Sequence, residues 1–435
     1  MYIKRNKLAY LKKTIAKEPA IILIGTRQVG KTTLMKKLEQ DLKNEEQNTF
    51  FFNLELPSAL NIFSSGVESF VEYLKIHENK KNANNAFIYI FIDEFQYIPK
   101  AGKFFKALID NYPQFKIVAS GSSSIEIQQS LQESLVGRKR IIKIFPLDFH
   151  EFLNFRNLKE ADYYEDIDIQ KPIPKNICEI FNNEFSEFVI WGGMPKTILE
   201  NDFEERKYLL EEICSSYLQK DIKGLLGAEN LGNFNKLMIL LSQESSTILS
   251  THSLSNDLNI KRSNLENHLF ILENTFVNFQ IAPFFKNKRK ELSKSKKTIF
   301  YDTGIRNNLI KDFSSLESRI DKGILIETAV FNEIIKNMHP AMEIYYWRTQ
   351  HQTEIDIIIK HNNALIPIEI KFGDKDNIPP SLLSFAGEYK SPFVIVINKS
   401  TWKELNIKGT RVFFVPAFLS SYIPSFISDI TTSLV

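Results

Sequence analysis

Eight residues near the N-terminus, Gly25-Thr26-Arg27-Gln28-Val29-Gly30-Lys31-Thr32, fit the pattern G-x-x-x-x-G-K-[ST] without a mismatch. Glycines at both ends let backbone N–H groups curl around a phosphate. A helix starting just after them adds partial positive charge. In this pattern Lys31 reaches the β- and γ-phosphates of a nucleotide, and the Thr32 hydroxyl is placed for Mg²⁺. Residues Gly25 through Thr33 are therefore the expected nucleotide contacts.

Hydrolysis needs a carboxylate for the metal and a base for water. The apolar run 87–92 (FIYIFI) ends in Asp93-Glu94, 62 residues after Lys31. Asp93 is the expected Mg²⁺ partner and Glu94 the base that polarises water. The run 116–119 (KIVA) ends in Ser120-Gly121-Ser122. Hydroxyls of Ser120 and Ser122 there are placed to sense a γ-phosphate, although an ordinary serine-rich turn has the same composition. Arg138, in Gly137-Arg138-Lys139-Arg140, is placed to reach the γ-phosphate of a neighbouring subunit. Its rival reading is a solvated basic turn.

Two further constellations lie downstream. Segments 254–260 (LSNDLNI) and 261–274 (KRSNLENHLFILEN) have helix-turn-helix spacing. Leu254, Leu258, Ile260, Leu265, Leu269 and Leu272 form the inner face. The second helix is expected to expose Lys261, Arg262, Asn264 and His268. A strand at 276–285 follows, then a run at 286–297 with seven basic residues and one glutamate. On a wing this run, including Lys288, Arg289 and Lys290, would neutralise DNA phosphates. A small packing module with a solvated hairpin is the rival.

The segment 343–371 reads as a three-strand meander with turns near 349–353 and 361–363. Alternation puts Glu354 and Asp356 on one face, and Glu369 and Lys371 on one face of the last strand. Glu327 lies in the helical stretch 323–335 among apolar residues. The set resembles a PD-(D/E)xK metal-dependent nuclease core, and that resemblance implies Mg²⁺ held by Asp356 and Glu369, with Lys371 orienting water and Glu327 coming from the preceding helix. An edge network of salt bridges is the alternative.

These residues need elements to position them. Runs at 21–24, 49–54, 87–92, 116–119 and 140–145 are apolar without alternation, which reads as buried parallel strands. Stretches 32–42 and 103–111 read as helices between them, giving an α/β sheet covered on both faces. The polar segment 154–175, with Pro172 and Pro174, reads as a surface insertion. Residues 176–235 read as helical.

The chain has 435 residues, room for two to four domains. Hydrophobic residues at 43% and charged residues at 25% exclude wholesale disorder and collagen-like repeats. Only Cys178 and Cys214 occur, too few for a disulfide scaffold or a zinc site, so a reduced cytoplasmic setting is expected. The charged start MYIKRNKLAYLKK shows no secretory signal. No segment supplies the roughly 20 apolar residues of a membrane span. The stretch 412–428 comes nearest, with two prolines and four serines. The net charge of +3 is too small to mark a nucleic-acid binder, but the run 286–297 alone carries twice that.

The strings GTRQVGKTT, FIDEF, ASGSSS, LVGRKR, FPLDFHEF and WGGMPK together resemble the AAA-type, STAND-related P-loop ATPases of bacteria and archaea. The similarity spans roughly residues 3–400, and it extends to the group that carries a C-terminal domain of unknown function. In the wider class a Gly-x-Pro element contacts the nucleotide base, which the resemblance carries onto Gly193 and Pro195. The run Tyr217-Leu-Gln-Lys-Asp221-Ile also looks like that group. A lid arginine is missing from its usual place, with Lys196 the nearest basic residue.

The C-terminal set resembles a PD-(D/E)xK nuclease core, a fold that can persist without cleavage. The resemblance implies an α/β chain with a parallel P-loop sheet, a helical lid, a winged helix and a restriction-endonuclease-like domain. The expected bounds are 1–175, 176–240, 241–298 and 299–410, with a tail at 411–435. It implies an ATPase using ATP and Mg²⁺, coupled to double-stranded DNA and forming a homo-oligomer, with no membrane partner. The alternative is a STAND-like switch with an inactive nuclease-like interaction domain.

Overall fold

Five short apolar runs in the first third each become a strand, because residues apolar on both faces are stable only when both faces are covered. In the computed structural model, residues 2–78, 87–121, 135–285, 295–349, 353–373 and 377–432 are described. The order is α1 (Lys7–Ile15), β1 (Ala20–Ile24), α2 (Lys31–Asn44), β2 (Asn48–Asn53), α3 (Pro57–Ser64), α4 (Val67–His77), β3 (Ile88–Asp93), α5 (Ala101–Asn111), β4 (Phe115–Gly121) and β5 (Lys139–Lys143). The sheet runs β2-β3-β4-β1-β5 and every pairing is parallel. The inner strands β1 and β4 are buried along their whole length, while the edge strand β5 keeps Arg140 and Lys143 exposed.

Parallel strands bring all their carboxyl ends to one edge, where ligands of open α/β sheets bind. Here Ile24 of β1 pairs with Gly121 of β4, and Ile92 of β3 with Ala119. The loop after β1, Asp93 and Ser120 therefore share that edge. This sheet belongs to the first of two compact units, Met1–Phe145 with Gln219–Asp221 and Asn274–Phe276.

The second unit holds most of the remaining chain. Helices Phe149–Phe155, Lys175–Trp191, Phe203–Ser216 and Leu231–Gln243 come first. Asp148 starts the first of these with a capping box to Glu151. Segment 154–175, expected as a surface insertion, instead contains the helix Glu160–Glu165. Its Tyr164 is fully buried and donates to the Phe418 carbonyl at 2.5 Å. Apolar faces of Tyr164, Phe149 and Phe181 pack edge-on, so a polar segment folds inward on one aromatic residue.

Next come helices Thr251–Asp257 and Arg262–Asn274, then the antiparallel pair β6 (Asn278–Ile281) and β7 (Lys297–Phe300). The chain continues through helices Thr303–Ile310 and Lys322–Asn337 into β8 (Met342–Arg348), β9 (Glu354–His361) and β10 (Ala364–Ile370). Helix Pro380–Tyr389 leads to β11 (Phe393–Asn398), β12 (Lys403–Ile407), β13 (Thr410–Pro416) and helix Ile423–Thr432. The second sheet runs β12-β13-β11-β10-β9-β8, with β10, β11 and β13 parallel and the rest antiparallel.

The segment expected as a tail from 411 onward is thus a strand between β11 and β12 plus a packed helix. Its uncharged apolar run is core: Val412 and Phe414 join Ile355, Ile358 and Phe385 in one buried cluster. Replacing Phe414 with Ala should cost about 3–5 kcal/mol of stability. A urea titration followed by tryptophan fluorescence checks this, and an unchanged midpoint would contradict the placement.

Candidate functional site

The loop after β1 is shaped by its glycines. A Cβ on Gly25 would stand 2.1 Å from the Ile144 carbonyl oxygen, so only glycine fits that close approach. Gly30 has φ of 91°, in the left-handed region, immediately before α2. Arg5 braces the loop by donating to the Val29 carbonyl at 2.7 Å. Lys31 is the first residue of α2 and is buried, with Nζ 2.9 Å from both the Gly25 and Thr26 carbonyl oxygens. Burial lowers its pKa, while the charges of Glu94, Asp93 and Asp221 oppose that shift.

Asp93, at the end of β3, is only 3% exposed. Its two oxygens accept from two hydroxyls: Thr32 Oγ1 at 2.7 Å and Ser120 Oγ. Ser120 is fully buried against Asp93. Its hydroxyl therefore orients the carboxylate, which differs from the γ-phosphate contact that its place after β4 first implies. Ser122 lies outside the described residues. Glu94 adopts φ of 58° and takes a hydrogen bond from the Gln96 amide. A non-glycine residue in that conformation is uncommon, and such strain gathers at functional positions. The donor set, one hydroxyl and one carboxylate, suits Mg²⁺, which keeps several waters and takes its other ligands from substrate phosphate.

Arg27 does more than lend its backbone to the loop. Its Nε lies 2.8 Å from Asp221, within the π-helical turn Tyr217–Ile222. Both side chains are mostly buried, and the guanidinium's pKa is raised: burial acts against the shift, and the bond and charge of Asp221 outweigh it. No local spacing marks this pair, since 194 residues separate its members. Arg138 immediately precedes β5 and pairs with Asp110 at 2.7 Å.

In the second unit, Gly193 and Pro195 stand at a turn and at the start of a short helix. The Gly193 N–H donates to Asp302 at 2.7 Å, and its carbonyl accepts from Leu147 N–H at 2.7 Å. Those contacts already account for a tight turn there. Lys261, Arg262 and Asn264 are exposed as expected. His268 is not: it is 4% exposed and meets Phe234 edge-on, 5.4 Å between ring centroids. The buried stripe of this helix is wider than the leucine spacing alone implied, and it takes in Ile271 as well. Glu266 and Glu273 lie on the same helix, and Glu266 pairs with Arg262 at 2.9 Å. Lys288, Arg289 and Lys290 lie outside the described residues.

The C-terminal sheet does bring Glu327, Asp356, Glu369 and Lys371 into one charged cluster. Asp356 Oδ2 accepts from the Ile370 N–H at 2.8 Å, and Lys371 pairs with Glu369 at 2.8 Å. Burial, with the Asp356 charge second, raises Glu369 to about 7 and Glu327 to about 8. A fifth member was missed. Lys297, expected in the basic run of a wing that neutralises phosphates, is 2% exposed. Its Nζ lies 2.6 Å from Glu354 and 3.1 Å from Glu327. Its seat at the end of a lysine-rich run hid it, because charge runs ordinarily face water.

A divalent ion fits this second cluster poorly. Two of its carboxylates are already held by the ammonium. Among the described residues no three His, Cys, Asp or Glu side chains are arranged to hold a metal ion. No described helix is long and apolar enough to cross a membrane.

Residues 17–153 match a family model described as an AAA domain. Residues 182–316 and 322–417 match two models, each described as a domain of unknown function (DUF8612 and DUF4143). The chain is 26% identical over 353 residues to an uncharacterized protein of Methanocaldococcus jannaschii, covering 80% of this chain and 74% of the relative. It is 22% identical over 409 residues to an uncharacterized protein of Haemophilus influenzae, covering 92% and 93%. Among solved structures, the Walker-type ATPase of Pyrococcus abyssi aligns with a TM-score of 0.45 and 16% identity over 71% of this chain and 96% of that one. A STAND protein with a tetratricopeptide repeat sensor from Pyrococcus horikoshii aligns with a TM-score of 0.28 and 14% identity, over 78% and 46%. The parallel sheet with the phosphate loop at its carboxyl edge, together with the match over residues 17–153, gives the N-terminal region an AAA-type P-loop ATPase-like fold.

Proposed function

We propose that this chain binds ATP with Mg²⁺ on residues 25–33 and hydrolyses it. One observation carries the reading: Lys31, Thr32, Asp93 and Ser120 meet at the carboxyl edge of β1, β3 and β4. Lys31 supplies positive charge to the β- and γ-phosphates, and the backbone of the loop and the start of α2 add donors. Thr32 and Asp93 hold the metal, which offsets charge developing on the transferred phosphoryl group. Ser120 keeps Asp93 in one orientation. Glu94, one residue beyond the metal carboxylate, orients the attacking water as base. Arg138 supplies charge to a neighbouring subunit's nucleotide once its pairing with Asp110 is given up.

The Arg27–Asp221 pair favours a second reading, in which nucleotide state governs conformation more than turnover matters. The pair ties the phosphate loop to the π-helical turn Tyr217–Ile222. Negative charge arriving beside Arg27 and Lys31 competes with Asp221 for those cations. Turnover separates the readings. An ordinary ATPase runs at about 1–10³ s⁻¹, whereas a switch binds tightly and turns over far more slowly.

Lys31→Ala should abolish ATP binding by equilibrium dialysis. Glu94→Gln should keep binding and lower the hydrolysis rate about 10²-fold or more. Normal phosphate release in both purified variants would refute the assignment.

The exposed Lys261 and Arg262, with 288–290, are proposed to contact duplex DNA. Fluorescence anisotropy with a labelled duplex should show affinity falling steeply with salt. Lys261→Glu with Arg262→Glu should remove most of it, and salt-independent binding would count against DNA.

A further inference from the structure

Lys297 opens β7, and its backbone is fixed before its side chain is considered. It bridges to Ile248, and flanking bonds run from Leu249 N–H to Lys296 O at 2.8 Å and from Ser246 N–H to Thr298 O at 2.7 Å. The side chain points inward. Its ammonium contacts carboxylates from two separate elements, Glu327 on the helix Lys322–Asn337 and Glu354 on β9. The ring of Tyr346 on β8 stands 5.6 Å from Nζ, and the Tyr346 hydroxyl donates to the Ser295 carbonyl at 2.6 Å. Hairpin strand, helix and sheet are thus stitched together at one buried cation.

We propose that Lys297 is the resident cation of this cluster, so that the carboxylates form a socket for β7 rather than a divalent-metal cleavage centre. Three observations support it. First, the ammonium sits 2.6 and 3.1 Å from its oxygens. Mg²⁺ bonds oxygen at about 2.0–2.1 Å and demands near-octahedral geometry. An ion reaching those oxygens of Glu354 and Glu327 would have to expel Lys297.

Second, charge is nearly balanced without a metal. Lys297, Lys371 and Arg348 face Glu327, Glu354, Asp356 and Glu369, with Arg348 3.9 Å from Glu354. Third, one oxygen of Asp356 accepts from the Ile370 N–H and one of Glu369 pairs with Lys371, which leaves the buried second oxygen of Glu369 as the acceptor without a hydrogen-bond partner. Burial pulls the Lys297 pKa down, and the charges of Glu327, Asp356 and Glu354 override it and hold the ammonium protonated. Removing one partner of a buried pair is costly, because the other is left uncompensated.

The inference concerns the C-terminal sheet alone and stands whether or not ATP is hydrolysed. It is tested on the full chain, free of nucleotide, with Mn²⁺ as the probe. Bound ion is counted by electron paramagnetic resonance, and thermal unfolding is followed with and without EDTA. The wild type and Asp356→Asn should bind the same number of ions, and Mn²⁺ should leave the wild-type melting temperature unchanged. Lys297→Gln should melt earlier, take up one additional ion, and recover stability with it. The ion should vanish in Lys297→Gln with Asp356→Asn.

An ion in the wild type that Asp356→Asn removes would overturn the proposal. So would a folded Lys297→Gln protein that gains no Asp356-dependent ion. Should Lys297→Gln fail to fold, the wild-type and Asp356→Asn comparison decides: equal ion counts support the socket, and a lost ion overturns it.

Discussion

A charge taken out of water must be compensated where it lies, and this chain meets that requirement with both signs. Asp93 is a carboxylate at the end of a fully apolar strand. It persists there because hydroxyls of Thr32 and Ser120 occupy both its oxygens. Lys297 is an ammonium at the start of an apolar strand, held by Glu327 and Glu354. In the low-dielectric interior such pairs are geometrically demanding, and each partner fixes the placement of the others. The phosphate-loop edge and the C-terminal cluster are therefore ordered by the same physics. Their consequences differ. Around Asp93 the partners are neutral, leaving the carboxylate its charge for a cation. Around Glu327 and Glu354 the partner is itself the cation.

Much of the first unit was legible because its signals are local. Continuous apolar runs of four to six residues marked all five strands, since parallel strands bury both faces. The phosphate loop and the Asp93-Glu94 pair follow from residue type and from position at a strand end. The three-strand meander of β8, β9 and β10 was equally readable from period-two alternation, and its turns fall where they were expected. Ser120 was placed correctly by the same logic, but its partner was not. A strand-end hydroxyl can face the ligand or the neighbouring strand, and only the register of β3 with β4 decides.

What was hidden is non-local. Arg27 and Asp221 are 194 residues apart, and nothing near either announces the other. The Lys297 contacts join residues 30 and 57 positions away. The apolar stretch after 411 was readable as apolar, but a strand inserted between two others looks the same as an end segment until sheet order is known. His268 failed for a smaller reason. Leucine spacing defines the centre of a buried stripe and leaves its width undetermined, and an imidazole at the margin packs against Phe234 as readily as it faces water.

Lys297 also alters how the chain's charge is understood. The run 286–297 carries seven basic residues, and an account in which all seven face phosphate makes the hairpin a DNA-binding wing. One of those seven is spent inside the protein. The run then has two jobs, divided at a definite point in the chain. Lys296 is half-buried, and from Lys297 onward every residue of β7 is buried. Sliding the strand by one residue so that Thr298 takes the place of Lys297 would leave Glu327 and Glu354 without a cation. Register in β7 is therefore fixed from the core by the ion pairs and at the backbone by the bridge to Ile248. A hairpin anchored in this way holds a constant position against the C-terminal sheet, whatever its outer residues bind.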